Sequence, residues 1–149
     1  MPGRCSPLKP KVLFICLGNS CRSIMAEALT RHFCGERWEA ASAGLNPLGR
    51  VAEETKAVLA EIGVGTEGLH SKGLAQVNLQ DYRLLVNLSS HSLKGRLPVE
   101  CADRLIQRPM PDPFGGRLEE YRRSLGAIKQ VILRELCQGD MTLSWRKGG

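Results

Sequence analysis

The sequence predicts a single α/β domain built on a four-stranded parallel sheet with helices on both faces. Short apolar runs alternate with longer amphipathic segments along the chain. Strands joined by right-handed helical crossovers run in parallel, and the helices then cover the sheet. The length of 149 residues suits one ordinary domain, which can form a core without disulfide or metal support.

The first strand-loop-helix unit has the clearest signals. The apolar run Lys11–Cys16 is followed by Gly18 and Asn19, which is typical of a buried strand entering a turn. From Ser23 onwards apolar residues recur at helical spacing. We expect Glu27 in the first turn, where an acidic side chain stabilises a helix N-terminus. We therefore expect a strand, a tight loop and a helix in direct succession.

Similar patterns predict the remaining elements. Further strands are expected at Trp38–Ser42, Arg83–Leu88 and Asp103–Gln107. Helices are expected at Val51–Ile62 and Leu118–Cys137. The last helix has one continuous apolar stripe, made by Leu118, Tyr121, Leu125, Ile128 and Ile132. Residues 1–10 and 140–149 are predicted to be flexible tails.

Composition excludes several classes of protein. No apolar run is long enough to span a bilayer, so we expect no membrane partner. The N-terminal segment lacks the apolar core of a signal peptide, which predicts a cytoplasmic protein whose six cysteines stay reduced. Cysteines and histidines are scattered without a CxxC pair, so no metal site and no cofactor are expected. We expect a monomer.

The net charge of +6 favours anionic partners in general. Lysines and arginines are nevertheless spread along the chain, and only seven aromatic residues are present. No finger, RRM or KH signature occurs, so nucleic acid is not an expected partner.

The loop Cys16–Ser23 combines a nucleophile with an anion site. Backbone N–H groups and the helix dipole stabilise a cysteine thiolate at a helix N-terminus, and the same N–H groups bind phosphate oxygens. Five residues separate Cys16 from Arg22, enough for the backbone to curl around a tetrahedral anion while the guanidinium clamps two oxygens. Gly18 and Asn19 suit the dihedral angles of such a curl. A buried core cysteine is the alternative interpretation, but the placement between strand and helix favours a nucleophile.

Asp112 is the candidate proton donor. It lies between prolines in Pro109–Pro113, which stiffen the backbone and hold the carboxyl on an extended loop. A leaving oxygen departs more readily when it is protonated in the transition state. Taken alone, Asp112 is as well explained as an acidic turn residue before the last helix; its catalytic interpretation depends on Cys16.

Together these segments resemble the low-molecular-weight protein-tyrosine phosphatase family. The resemblance extends from about Pro10 to Cys137 and rests on Val12–Glu27, Ser42–Gly44 and Asp112–Gly116. It implies that Cys16 forms a phosphocysteine, that Arg22 binds phosphate, and that Asp112 acts first as acid and then as base. The implied partner is a phosphorylated protein.

The resemblance also implies supporting roles. The phosphate would be bound by the rest of the loop, namely Leu17, Gly18, Asn19, Ser20, Cys21 and Ser23. Asn19, Ser23 and Ser42 would form a hydrogen-bond network around the loop and the thiolate, and Phe114 would be a wall for the substrate. Cys21 would form a reversible disulfide with Cys16, although a loop-filling thiol explains it equally well. Leu69, not His70, matches the place of a supporting histidine, so His70 is not a predicted site residue.

The substrate is the least determined prediction. Phosphotyrosine is expected first, as the commoner activity in the family. Ser20 stands where tyrosine phosphatases commonly have an aliphatic residue, and this polar side chain resembles the related protein-arginine phosphatases. Thioredoxin-coupled arsenate reductases need two further cysteines after the third strand, and the segment Asn87–Ser92 has none. That activity and a non-catalytic phosphate-binding module rank below the two phosphatases.

Overall fold

The computed structural model describes residues 9–138 and has a four-stranded parallel sheet. Of the two predicted tails, all but residues 9 and 10 lies outside the described residues. The strands are β1 (Lys11–Cys16), β2 (Glu39–Gly44), β3 (Leu84–Asn87) and β4 (Leu105–Gln107). They follow the order β2-β1-β3-β4, and each neighbouring pair is parallel. The predicted α/β fold class is confirmed.

Three α-helices connect or follow the strands. They are α1 (Arg22–Cys34), α2 (Glu53–Glu61) and α3 (Leu118–Glu135), each within three residues of its predicted bounds. The apolar stripe of α3 is buried as expected from Tyr121 to Ile132. Phe33 and Ile62 are 38% and 41% exposed, so these two apolar residues lie off the buried helix faces. No helix in the described part of the chain is long and apolar enough to cross a membrane.

Side chains of β1 point alternately to the two faces of the sheet, as a strand requires. Val12 and Phe14 pack into the larger core cluster, which also contains residues of all three α-helices. Leu13 and Ile15 belong to a second cluster on the opposite face. Short 3₁₀ helices flank that second cluster, at Leu74–Gln76, Leu79–Asp81 and Val99–Arg104. Because both faces of β1 are covered, its sequence is continuously apolar.

The expectation that all six cysteines stay reduced is wrong for one pair. Cys34, the last residue of α1, forms a disulfide with Cys137, which follows α3. The C-terminal ends of these helices meet, so that the two Cα atoms lie 5.3 Å apart. The indole N–H of Trp38 donates to the Leu136 carbonyl beside them. A separation of 103 residues hid the pairing, because helix packing alone brings the two thiols together.

Candidate active site

Cys16 ends β1 at the carboxyl edge of the sheet, and α1 begins six residues later at Arg22. The intervening backbone curls as predicted, with Asn19 in the left-handed region at a φ of 48°. Within residues 9–138, the amide N–H groups of residues 17–22 have no protein acceptor. The curl therefore presents several N–H groups without an acceptor at a helix N-terminus. This is the arrangement that binds an oxyanion.

The Cys16 thiol is held by a directed chain of hydrogen bonds. The backbone N–H of Lys72 donates to Asn19 Oδ1 at 2.7 Å, which orients the amide so that Asn19 Nδ2 donates to Ser23 Oγ at 2.7 Å. Since Ser23 Oγ accepts that bond, its proton is free to point at Cys16 Sγ, 2.9 Å away. The Ser23 N–H also points at the sulfur, at 3.4 Å. Two donors thus face the sulfur, and such an arrangement stabilises a thiolate.

The contact of Ser42 differs from the one predicted. Its hydroxyl donates to Glu27 Oε1 at 2.6 Å, and Glu27 is paired with Arg31. The part of β2 that supports the loop is Gly44, opposite Cys16 in the sheet. A Cβ at Gly44 would lie 2.8 Å from the Leu17 carbonyl oxygen and 2.9 Å from Asn19 N, so only glycine lets the loop pack this closely.

Arg22 is buried and reaches three parts of the site. Its Nη1 atom donates to the carbonyls of Leu88 and Met110, each at 3.3 Å, and Nη2 lies 3.3 Å from Asp112 Oδ2. Its Nε is buried with no partner among the described residues. A buried guanidinium N–H without a protein acceptor is a donor that an oxyanion can satisfy, and leaving such a donor unsatisfied is costly.

Asp112 lies opposite the catalytic loop (residues 16–23) on the acid loop (residues 108–114). Its Oδ1 atom accepts from the Phe114 N–H at 3.1 Å, and its side chain is 44% exposed. One carboxylate edge therefore faces Arg22 while the rest stays open to solvent and substrate. That placement suits a group that exchanges protons.

Cys16, Arg22 and Asp112 line one cleft of about 120 Å³. Ordinary small-molecule pockets hold roughly 300–1,000 Å³, so this cleft suits a phosphoryl group while the rest of a substrate lies outside. The predicted residues Leu17, Gly18, Ser20, Cys21 and Phe114 also line it. Asn19 and Ser23 lie behind the loop rather than in the cleft.

Sequence reasoning missed three residues of this site. Asn46 and Leu48 complete the cleft wall, and the hydroxyl of Ser71 donates to the Gly18 carbonyl at 3.2 Å while accepting from Gly49 N–H at 3.1 Å. All three lie in irregular segments, where no periodicity marks them. The sheet order, which puts β2 beside β1, and the bridge between Gly44 and Gly73 place these segments next to the catalytic loop.

Cys21 lies with its sulfur 3.8 Å from the hydroxyl of Tyr121. Burial raises the pKa of the Cys21 thiol, although hydrogen bonds with Tyr121 and Thr55 partly offset this effect. Burial likewise raises the pKa of Tyr121. Cys16 and Cys21 are both free thiols here, and their reversible disulfide stays a prediction.

Comparison with known proteins gives the family. Residues 11–139 match the family model for low molecular weight phosphotyrosine protein phosphatases. The chain belongs to this family. Its members are phosphatases or arsenate reductases, so the chain is an enzyme of a family that performs both chemistries.

The individual relatives of this phosphatase-family chain include both arsenate reductases and phosphatases. A glutaredoxin arsenate reductase of Synechocystis sp. is 31% identical over 82% of this chain and 92% of its own length. An arginine phosphatase from Geobacillus stearothermophilus superimposes with a TM-score of 0.76 at 28% identity, covering 84% of this chain and 89% of that one. A low molecular weight protein tyrosine phosphatase from T. tengcongensis has a TM-score of 0.72 at 31% identity, covering 85% and 99%.

Proposed function

We propose that this chain is a phosphoprotein phosphatase that works through a phosphocysteine on Cys16, with phosphotyrosine as its substrate. The observation that carries the proposal is the anion site facing the thiol. The uncommitted amides of residues 17–22 and the unpaired Nε of Arg22 would stabilise phosphoryl oxygens throughout the reaction.

The reaction has two steps. Cys16 thiolate attacks phosphorus, the bond from phosphorus to the leaving oxygen breaks, and Asp112 gives that oxygen a proton. Asp112, now a carboxylate, removes a proton from water as the water oxygen bonds to phosphorus. The bond from phosphorus to sulfur breaks, which releases phosphate and restores the Cys16 thiolate. The 44% exposed side chain of Asp112 gives it access to both the leaving group and the water.

The mouth of the cleft favours an aryl ester. Leu17, Leu48 and Phe114 line it and are 37%, 48% and 60% exposed. Exposed apolar side chains around a polar floor suit an aromatic ring whose phosphate is bound below.

One observation favours phosphoarginine as a second candidate. Ser20 is buried and lines the cleft, and its carbonyl is fixed by the Thr55 hydroxyl at 2.9 Å and the Ala52 N–H at 3.2 Å. A serine hydroxyl can accept from a guanidinium N–H, which the phosphoarginine side chain has and the phosphotyrosine side chain lacks.

Arsenate reduction has less support, despite the relatives that perform it. Among the described residues, the free thiols besides Cys16 are Cys21 and Cys101. Cys101 is buried in the second core cluster, with its sulfur 3.0 Å from Arg104 Nη2. The segment after β3 is a turn held by Asn87, which bonds to Ser89 and His91, and it offers no thiol to attack an arsenylated Cys16.

The test is hydrolysis of phosphotyrosine and phosphoarginine peptides side by side, with EDTA present. We expect faster release of phosphate from phosphotyrosine, inhibition by vanadate, and loss of turnover in Cys16→Ser. Cys101→Ser is the matched control and should keep activity. Cys101 lies in the second core cluster, on the face of the sheet opposite the three α-helices. Full activity in Cys16→Ser, or a strict metal requirement, would refute the proposal.

Ser20→Ile tests the second candidate. We expect the ratio of phosphotyrosine to phosphoarginine hydrolysis to rise, because the substitution removes a hydroxyl and adds apolar surface to the cleft. An unchanged ratio would remove Ser20 as the residue that distinguishes the two substrates.

A further inference from the structure

The segment that carries Asp112 has few backbone donors. Prolines occupy positions 109, 111 and 113, and proline has no N–H group. The Met110 N–H donates to the Leu88 carbonyl at 2.9 Å. The Arg108 N–H likewise donates to the Asn87 carbonyl at 2.9 Å. Beyond Met110, within the described part of the chain, no main-chain N–H of the acid loop bonds to another segment, and no element of regular structure includes the loop. The shape of this part therefore depends on what binds its carbonyl oxygens.

Donors from three different places bind those oxygens. Arg22 Nη1 binds the Met110 carbonyl at 3.3 Å, and the N–H of Gly116 binds the Pro113 carbonyl at 2.7 Å. Between them, the hydroxyl of Ser124 donates to the Pro111 carbonyl at 2.9 Å. That carbonyl belongs to the peptide unit that contains the Asp112 nitrogen, so its orientation sets the direction in which the Asp112 side chain leaves the backbone.

The Ser124 hydroxyl bonds to the Pro111 carbonyl of the acid loop and not to a carbonyl of its own helix. It lies inside α3 and is 1% exposed. A serine within a helix commonly turns its hydroxyl towards the carbonyl four residues earlier, and serine is a poorer helix former than alanine. Here the hydroxyl instead reaches out of the helix to the acid loop.

We propose that Ser124 is a positioning residue for acid catalysis, which holds Asp112 at the leaving oxygen by anchoring the Pro111 carbonyl. The inference rests on the proposed phosphatase function. Arg22 also contacts the acid loop, but Arg22 belongs to the anion site, so its substitution affects both parts of the reaction. Among the described residues, the Ser124 hydroxyl bonds to the acid loop and not to the anion site, so its substitution separates the two parts.

The experiment measures kcat/KM of Ser124→Ala with two aryl phosphates. Phenol is a poor leaving group that needs a proton, whereas dinitrophenol leaves as a stable anion. A well-placed general acid contributes about 10²–10⁴-fold, and we expect loss of the anchor to forfeit about tenfold of this with phenyl phosphate. With dinitrophenyl phosphate kcat/KM should stay nearly unchanged. The ratio between substrates is measured on one preparation, so it does not depend on how much of the variant is folded.

Two controls sharpen the result. Ser124→Thr keeps the hydroxyl and should restore the wild-type ratio. Thr30→Val removes another buried hydroxyl, which lies on α1 and has no partner among the described residues, and should leave the ratio unchanged. If Ser124→Ala does not fold, Ser124→Cys, with its weaker donor, should shift the ratio in the same direction.

Equal losses with both substrates in Ser124→Ala, or no loss with either, would overturn the inference while leaving the phosphatase intact. A wild-type protein that hydrolyses neither substrate would refute the proposed function itself.

Discussion

The catalytic loop and the acid loop face each other across one cleft but are built differently. Cys16, Asn19, Arg22 and Ser23 of the catalytic loop are all at most 5% exposed, and hydrogen bonds from neighbouring segments fix them. Asp112 of the acid loop is 44% exposed, on a proline-rich segment held by its carbonyl oxygens. In the proposed reaction, the side that would bind the anion is buried and hydrogen-bonded, and the side that would move protons is open to solvent.

This difference follows from what each side must do. Donors that stabilise charge act best when they are fixed before the reaction, because they then need no reorganisation. A group that serves first a leaving oxygen and then a water needs access to both. Substitutions in the two loops should therefore lower kcat/KM in different ways. The loss should depend more strongly on the leaving group for the acid loop than for the catalytic loop.

Arg22→Lys should have the largest effect. Lysine keeps the charge but loses the planar pair of donors, and removal of a single fixed donor costs about 10²–10³-fold. We expect kcat/KM to fall by about 10³-fold with dinitrophenyl phosphate and further still with phenyl phosphate, since Arg22 also binds the Met110 carbonyl of the acid loop, together with loss of vanadate inhibition. Arg122→Lys is the control, since Arg122 pairs with Glu61 on the surface. An unchanged kcat/KM with dinitrophenyl phosphate in Arg22→Lys would contradict the assignment of Arg22 to the anion site.

Asp112→Asn should show the opposite pattern. Asparagine retains the shape but cannot transfer the proton, so kcat/KM for phenyl phosphate should fall by about 10²-fold, with little change for dinitrophenyl phosphate. Asp103→Asn, at an exposed position in the 3₁₀ helix Val99–Arg104, should behave as wild type. Equal losses with both substrates would mean that Asp112 acts on the anion site through Arg22 instead.

The difference between the catalytic loop and the acid loop also explains which site residues can be predicted from the sequence. The catalytic loop lies between a buried strand and a helix that both have strong periodic signals, so Cys16, Arg22 and the whole first unit were predictable. Flanking prolines together with Cys16 made Asp112 a candidate from the sequence, whereas nothing pointed to Ser124, which binds the neighbouring Pro111 carbonyl. Ser124 lies within α3 with no local feature that points to Pro111.

Contacts between segments distant in sequence account for the other omissions. Asn46 and Leu48 reach the catalytic loop because β2 lies beside β1, and Ser71 reaches it because its segment bridges to β2 at Gly73. Ser42 was expected at the thiolate, but Glu27 accepts its hydroxyl. The disulfide between Cys34 and Cys137 likewise depends on how two helices pack, which no local pattern encodes.

Ser23→Ala should have a smaller effect than the first two substitutions. It removes the hydroxyl 2.9 Å from Cys16 Sγ but leaves the Ser23 N–H in place. A hydrogen bond to a charged group contributes about 1.5–3 kcal/mol, and the lower end corresponds to about a tenfold fall in kcat/KM. The loss should be the same with both aryl phosphates. Ser89→Ala is the control, since its hydroxyl bonds to Asn87 outside the cleft.

The double substitution Cys34→Ser with Cys137→Ser should change the activity least. Both loops depend on α1 and α3, because α1 begins with Arg22 and α3 carries Ser124, but the disulfide joins the far ends of these helices. A cross-link that closes about 100 residues is worth up to about 4.7 kcal/mol through the unfolded state. We therefore expect a lower melting temperature without reductant and an unchanged leaving-group dependence.

A phosphine reductant should lower the wild-type melting temperature to that of the variant and leave the variant unaffected. Equal melting temperatures without reductant would show that the bond does not form in solution, whereas a changed leaving-group ratio would show that the helix ends position the acid loop as Ser124 does.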